Sequence, residues 1–418
     1  MKQLAIAVLL AGSAAADPLD ELGFGAAATG MANARGAISG GAEAIHTNPA
    51  GLVELESTEV LVGWGYAHER LSINEQDAGV LDAHGTSFGL ALPIRIHGLR
   101  LAAGIATYLP DQFLARVQFN PIAEPHYVRF QSAPHRVVLE PAVAIELGPL
   151  AIGVGASLLA DAKSKRIDLD VGVVGGEKQG DARIDISLPV RLAPLVGVRY
   201  RATPALTLAA MFRGELALDL ALDIRTNVDV PNVVSGDADV TLRSTSYFTP
   251  AKLAIAAAYR VRDDLAITAD VAFERYSALG SGVPDLRVLL ALDIMPTIVA
   301  SMQPPAGFRD IVTPRLGAEW QREALQLRTG LAYLPSPVPA QTGITSFADG
   351  DRLLATAGVG LRIEPNATWR RPIDLDLAIA WQHVEHVLTK KDQTLQPGGA
   401  FTSGGQILQA SASATVRF

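Results

Sequence analysis

The 418-residue sequence contains no cysteine. A disulfide framework and a thiolate metal site are therefore excluded, and the chain is indifferent to an oxidising compartment. A basic surplus is missing too: 35 Lys and Arg against 43 Asp and Glu leave a formal net charge of −8, without the electrostatic footprint of a nucleic-acid binder. Long apolar runs are absent after the first residues. The best stretches, Leu147 to Ala160 and Leu286 to Met302, are too short or carry Asp293 and Pro296, whereas a spanning helix needs roughly 18 to 20 apolar residues in succession. A helical membrane protein is thereby ruled out. Aromatics amount to only 6% of the chain, and nothing in its middle reads as a linker.

What is present begins with an export pattern. Met1-Lys2 gives a positive start, Leu4 to Leu10 an apolar stretch, and Ala14-Ala15-Ala16 a small-residue cleavage signal before Asp17. That is the layout of a removed signal peptide, residues 1–16.

Beyond Leu52 the dominant signal is alternation. In Glu215 to Ile224 every even position is aliphatic and every odd one is acidic or alanine. Successive strand side chains point to opposite faces, so such a segment builds one greasy wall and one polar wall. The pattern recurs at Ile184 to Leu192, Leu265 to Phe273 and Leu375 to Trp381, and it closes the chain from Leu408 to Phe418.

A soluble sandwich would alternate as well, so the connections decide. Tight turns are readable at Ile94 to Gly98, Leu147 to Pro149, Arg201 to Pro204, Val261 to Asp264, Arg322 to Ala324 and Glu364 to Pro372. Longer loops fall at Leu71 to Leu81, Pro110 to Ala133, Val171 to Gly180, Asn227 to Gly236, Ser277 to Phe308, Pro335 to Gly350 and Leu388 to Ser403. Six turns and seven loops join fourteen strands, an even number with both ends on the short-turn side, as a bacterial transmembrane barrel requires. Closure follows because lipid tolerates no unpaired sheet edge. The reading is all-β: a transmembrane antiparallel β-barrel of 14 strands over residues 56–418, with residues 17–55 as a plug in its lumen. The interfacial aromatic girdles are assigned to Trp64, Tyr66, Tyr108, Tyr200, Tyr259, Tyr276, Trp320, Tyr333 and Trp381. Mixed charges such as Arg183, Asp185, Arg191, Glu215, Asp219, Asp223, Arg328, Arg362, Asp374 and Asp376 are expected to line the lumen.

Three motifs invite chemistry and fail on context. Gly85-Thr86-Ser87-Phe88-Gly89 matches a nucleophile elbow, but it lies inside an alternating strand rather than on a strand-to-helix turn. Gly23 to Ala28 resembles a dinucleotide loop without the strand that must precede it. In His383-Val384-Glu385-His386 the imidazoles are three apart, which in a regular strand places them on opposite faces. No metal, no cofactor and no enzymatic activity are expected.

The loops carry an anomaly, since extracellular loops should be polar. The loop from Pro110 holds Phe113, Phe119, Tyr127 and Phe130, and Leu286 to Met302 holds Leu289, Leu290, Met295 and Ile298. Exposed apolar patches mark binding surfaces. Phe113, Phe119, Leu289, Leu290, Met295 and Ile298 are the candidate ligand contacts; the plainer alternative is a lid of loops packed on each other. The second stretch would suit a short amphipathic helix, which Pro296 would break.

Gly23-Phe24-Gly25-Ala26, Gly30-Met31-Ala32-Asn33-Ala34 and Asn48-Pro49-Ala50-Gly51-Leu52, with Leu327 to Tyr333, Ser336 to Pro339 and Asp349 to Arg352 further on, resemble the FadL-type outer-membrane transporters of long-chain fatty acids and hydrocarbons. Where that family commonly has an aromatic residue just before Asn-Pro-Ala, this chain has His46-Thr47. The resemblance implies an outer-membrane location in a Gram-negative-type bacterium and a monomer that takes up fatty acid or hydrocarbon passively. Apolar loops would capture the cargo, a hatch carrying Asn48, Pro49 and Ala50 would move, and release would be lateral. Implied partners are outer-membrane lipid, lipopolysaccharide and the barrel assembly machinery, which reads terminal strands ending, like this one, on an aromatic. Two other classes stay open: a general diffusion porin, which would need an unplugged polar lumen, and a lipid-modifying enzyme, which would need a Ser/His pair on the wall.

Overall fold

Strand Leu265–Glu274 shows how the wall is made. Ile267, Val271 and Phe273 are 47%, 41% and 42% exposed, while Thr268, Asp270, Ala272 and Glu274 between them are buried. The apolar face turns outward and the polar face inward, inverting a soluble protein, as suits a sheet whose outer solvent is lipid. In the computed structural model the described residues are 10–11, 22–111, 120–121, 123–130, 137–160, 163–174, 177–187, 190–230, 234–279, 285–292, 298–300, 307–343, 345–365, 370–392 and 399–418, some in backbone only. The expected cleavage point at Asp17 lies outside them.

Fourteen strands form the ring: β1 (Glu59–Ile73), β2 (Ala83–Ile96), β3 (Leu99–Pro110), β4 (Val138–Leu147), β5 (Leu150–Ala160), β6 (Val190–Arg201), β7 (Leu206–Arg213), β8 (Lys252–Arg262), β9 (Leu265–Glu274), β10 (Ile311–Arg322), β11 (Leu325–Leu334), β12 (Arg352–Ile363), β13 (Ile373–Thr389) and β14 (Phe401–Arg417). Each pairs antiparallel with the next, and β1 pairs with β14 from Glu59↔Arg417 to Ile73↔Ser403, which closes the barrel. All six short turns lie where the sequence predicts them, on one rim, and the long connections lie on the other. Among the described residues no helix is long and apolar enough to cross a membrane.

Three expectations need correction. The alternating segments Leu216–Val230 and Glu177–Ser187 are not wall. With Lys163–Val174, Val234–Thr249, Asp285–Leu292 and Ile298–Ala300 they build a separate six-stranded sheet from the long connections. Alternation reports a two-faced sheet but not the medium on either face, and Arg183, Asp185, Asp219 and Asp223 lie on strands of this separate sheet instead of on strands of the ring. The stretch around Leu289 is a strand pair, Leu290 opposite Ile298, rather than a loop or helix. Tyr108 and Tyr276 are buried and cannot serve a girdle; Trp64, Tyr333 and Trp381 stand exposed toward the long-loop rim, and Tyr200 and Tyr259 toward the other.

The N-terminal segment threads the ring. It consists of single helical turns at Ala26–Thr29 and Ala44–Thr47 and 3-10 turns at Gly41–Glu43 and Pro49–Glu54. Between Leu22 and Leu55 only Glu54 is exposed. Its backbone bonds Ser413 on β14, Thr356 on β12, Asp270 on β9 and Glu59 on β1. Contacts on so many sides of the ring put it in the lumen.

Candidate functional site

The Asn-Pro turn is the tightest contact between segment and wall. Asn48 is extended, at φ −162°, and caps the following 3-10 turn by accepting from the Ala50 amide at 3.1 Å, with Pro49 at the position where no N–H is needed. Its Nδ2 donates to the carbonyls of Gly36 at 3.1 Å and Val198 at 3.3 Å, tying segment to β6. The turn rests on two glycines paired across β5 and β6, Gly153 and Gly197. A Cβ on Gly153 would stand 2.3 Å from the Pro49 carbonyl carbon, and one on Gly197 2.1 Å from Asn48 Oδ1. Only glycine lets the backbone come so near.

Beside the turn, His46 Nδ1 lies 2.9 Å from Glu140 Oε2 on β4, and Ser157 donates to the other carboxylate oxygen at 2.6 Å. Arg213 on β7 donates to the His46 carbonyl at 3.1 Å. An ion buried this deeply is tolerated only with such partners. Close by, the β4–β5 ladder lapses. It runs Val138↔Leu159 and Leu139↔Leu158, then resumes at Ala142↔Gly155, leaving out Glu140 and Pro141. Proline cannot donate to a ladder, and Pro194 sits opposite Ala156 one strand further on.

Above the segment, a cavity of about 40 Å³ is floored by Thr29, Ala32 and Asn33 and walled by Arg129, Arg315, Arg352 and Glu274. A water needs roughly 10–15 Å³, so the space suits a few waters or one carboxylate. Arg129 reaches Asp349 at 3.5 Å and Tyr276 at 3.4 Å, Arg352 donates to Gln382 at 3.1 Å, and Arg315 lies 4.0 Å from Glu274. Three guanidiniums thus face a cavity lined by one carboxylate. Over it the long connections form an apolar layer that includes Val128, Phe248, Tyr276, Phe308 and Phe347, with Tyr127 and Phe130 packed edge-on at 6.1 Å alongside.

Below the segment the chemistry reverses. A chamber of about 590 Å³ has twice as many lining carboxylates as guanidiniums. Arg35 joins Glu43 at 2.6 Å and Glu319 at 3.0 Å; Arg328 joins Glu319 at 2.6 Å and Asp376 at 2.5 Å. Arg417 pairs with Glu59 at 3.1 Å and also with Asp374. Burial alone would lower the pKa of Arg35, but its two carboxylates hold it raised and fully charged.

Of the residues the sequence singles out, Asn48, Pro49 and Ala50 meet at the β5–β6 contact. Leu289 stands exposed on the outer sheet, with Leu290 and Ile298 opposite each other there; Phe113, Phe119 and Met295 lie outside the described residues. Sequence reasoning does not find Arg129 and Arg315, and it quotes Arg352 only as the end of a motif, with no role attached; the three come from separate parts of the chain. The histidines at 383 and 386 depart from a regular strand. A bulge between Val384 and Val387 interrupts the register, and both rings lie on the outer face, 6.2 Å apart.

Residues 195–418 match the family described as "Outer membrane protein transport protein (OMPP1/FadL/TodX)". The fold is similar to a Pseudomonas aeruginosa FadL homologue, with TM-score 0.62 and 16% identity over 99% of this chain and 100% of that one. It is also similar to the Ralstonia pickettii toluene transporter TbuX, with TM-score 0.53 and 16% identity over 94% and 98%. A stretch of 119 residues is 30% identical to alkane uptake protein A of Marinobacter nauticus; the match spans 27% of this chain and 25% of that protein.

Proposed function

Because the chain belongs to the outer-membrane transport protein family of the FadL/TodX type, whose members are channels for hydrophobic compounds and not enzymes, we propose that its cargo is long-chain fatty acid. The observation that carries this reading is the cavity walled by Arg129, Arg315 and Arg352. Arginine is the natural partner of a carboxylate, and a hydrogen bond to a charged group is worth about 1.5–3 kcal/mol. A hydrocarbon has no use for three guanidiniums. Capture falls to the apolar outer segments, Phe113, Phe119, Leu289, Leu290, Met295 and Ile298, and Asn48, Pro49 and Ala50 hold the N-terminal segment as a hatch. Passage is downhill, each moderate site handing to the next.

Release is lateral in this reading. A greasy chain gains nothing by entering the carboxylate-rich chamber below the segment. The lapse in the β4–β5 ladder at Glu140 and Pro141, beside the hatch turn, offers a way into the bilayer instead. The reading is tested by uptake of a labelled long-chain fatty acid and an alkane of equal length, in cells lacking their own transporter. Arg315→Ala with Arg352→Ala should reduce fatty-acid uptake about tenfold, the equivalent of roughly 1.4 kcal/mol, and leave alkane uptake unchanged. Equal loss of both cargoes, or none of either, would refute the carboxylate site.

A further inference from the structure

A third concavity lies on the lipid side of the wall, across β12, β13, β14 and β1. It is an open groove of about 620 Å³, lined almost wholly by apolar atoms. The register explains its shape. Ala357, Ile379, Ala410 and Tyr66 follow one another across the four strands, and Ala355, Trp381, Leu408 and His68 form the next row outward. The three alanines leave a trough between the taller side chains.

The trough ends at the long-loop rim against groups of a different kind. One row further, His383 pairs with Gln406 and Gln406 with Arg70. The β13 bulge brings His386 to the same face, and Arg70, His383 and His386 are all exposed. Trp381 stacks on His383 with centroids 6.0 Å apart, and Tyr66 on Trp64 at 6.1 Å, as aromatics do at a membrane interface. An apolar trough therefore runs up to a polar rim, where Arg70 and two imidazoles offer donors beside the carboxylates of Glu385 and Asp82, at the level where lipid headgroups begin.

We propose that the trough holds an acyl chain of a phosphorylated, multi-acyl lipid of the outer leaflet, with its phosphate against Arg70, His383 and His386. The site is not a way out for cargo. The ladder beneath it is continuous through Thr356↔Ala380, Ala380↔Gln409 and Gln409↔Ala67. Its inner side is pinned to the N-terminal segment, by Thr356 accepting from Ala32 at 3.1 Å and Gln409 donating to Leu22 at 2.5 Å. Nor does it suit a second copy of the barrel, whose convex wall cannot fill a trough. The inference is independent of the cargo.

The test is titration of the delipidated, detergent-solubilised barrel with lipid A, with lipid A stripped of its phosphates, and with free fatty acid, followed by native mass spectrometry and Trp381 fluorescence. Lipid A should bind most tightly. Arg70→Glu should weaken lipid A at least tenfold and leave the stripped form unchanged, and Ala357→Phe with Ala410→Phe should weaken both without reducing cargo uptake. Absence of lipid A binding, equal affinity for the two lipid A forms, or preference for free fatty acid would overturn the proposal. If the filled trough prevents assembly, as judged by heat-modifiable gel mobility, Arg70→Glu alone decides.

Discussion

His46 and Glu140 meet inside the barrel at 2.9 Å, one on the N-terminal segment and the other on a wall strand with no solvent exposure. Removing one partner of a buried pair costs about 3–5 kcal/mol, because the other is left uncompensated. Glu140→Ala should therefore loosen the segment while the ladder keeps the barrel closed. Single-channel conductance in planar bilayers should rise; wild-type conductance would show that the pair does not hold the segment.

Gly153 and Gly197 test the fit of the Asn-Pro turn. Alanine at either brings a methyl within 2.3 Å or 2.1 Å of turn atoms, and overpacking of this kind costs about 1–3 kcal/mol. Protease cleavage within residues 22–55 should accelerate in Gly153→Ala and Gly197→Ala. It should stay unchanged in Gly343→Ala, where a Cβ meets nothing within 4 Å.

The absence of native cysteine makes a lock across the ladder lapse clean. A disulfide from Leu139→Cys and Leu158→Cys, which face each other on β4 and β5, should abolish fatty-acid uptake when oxidised and restore it on reduction. A control bridge at Ala357 and Ile379, paired on β12 and β13, should have no effect. Full uptake through the oxidised β4–β5 lock would exclude release there.

His126 gives the outer apolar layer a pH dependence. It is buried, packs edge-on against Phe347 at 5.4 Å and bonds the Glu124 carbonyl at 2.8 Å. Burial lowers its pKa below the ordinary 6.5, the carbonyl only partly offsetting this. The loosened state binds the proton more readily, so stability is complete above 6.5 and declines as the pH falls from there towards the lowered value. Hydrogen exchange at Ser346 to Asp349, corrected for its intrinsic rate, should quicken on acidification in the wild type but not in His126→Gln.

The wall was legible because lipid imposes a strict rule on each strand, and tight turns interrupt it at fixed places. Leu265 to Phe273 obeys that rule in sequence and in space alike. Leu216 to Ile224 obeys it equally well and stands outside the wall, since two-faced sheets in lipid and in water share one period. Asn48-Pro49 announces its turn locally, through a cap and a fixed φ. The glycine pair that receives it, and the convergence of Arg129 with Arg315 and Arg352, are products of register and closure that no local stretch encodes. The His383 and His386 geometry was hidden for a related reason: one bulge reverses the parity on which a facing argument rests.

Closure of the ring by β1 and β14 also sets an order of events. The Arg417–Glu59 bond joins positions 358 apart in sequence, and contacts so distant form slowly. Until they form, the growing sheet carries two raw edges, each a template for pairing with another chain. The N-terminal segment lies inside the finished ring, bonded to strands from both ends of the chain. Were it enclosed while those edges are still apart, the last strand would act as a kinetic seal over a lumen already filled.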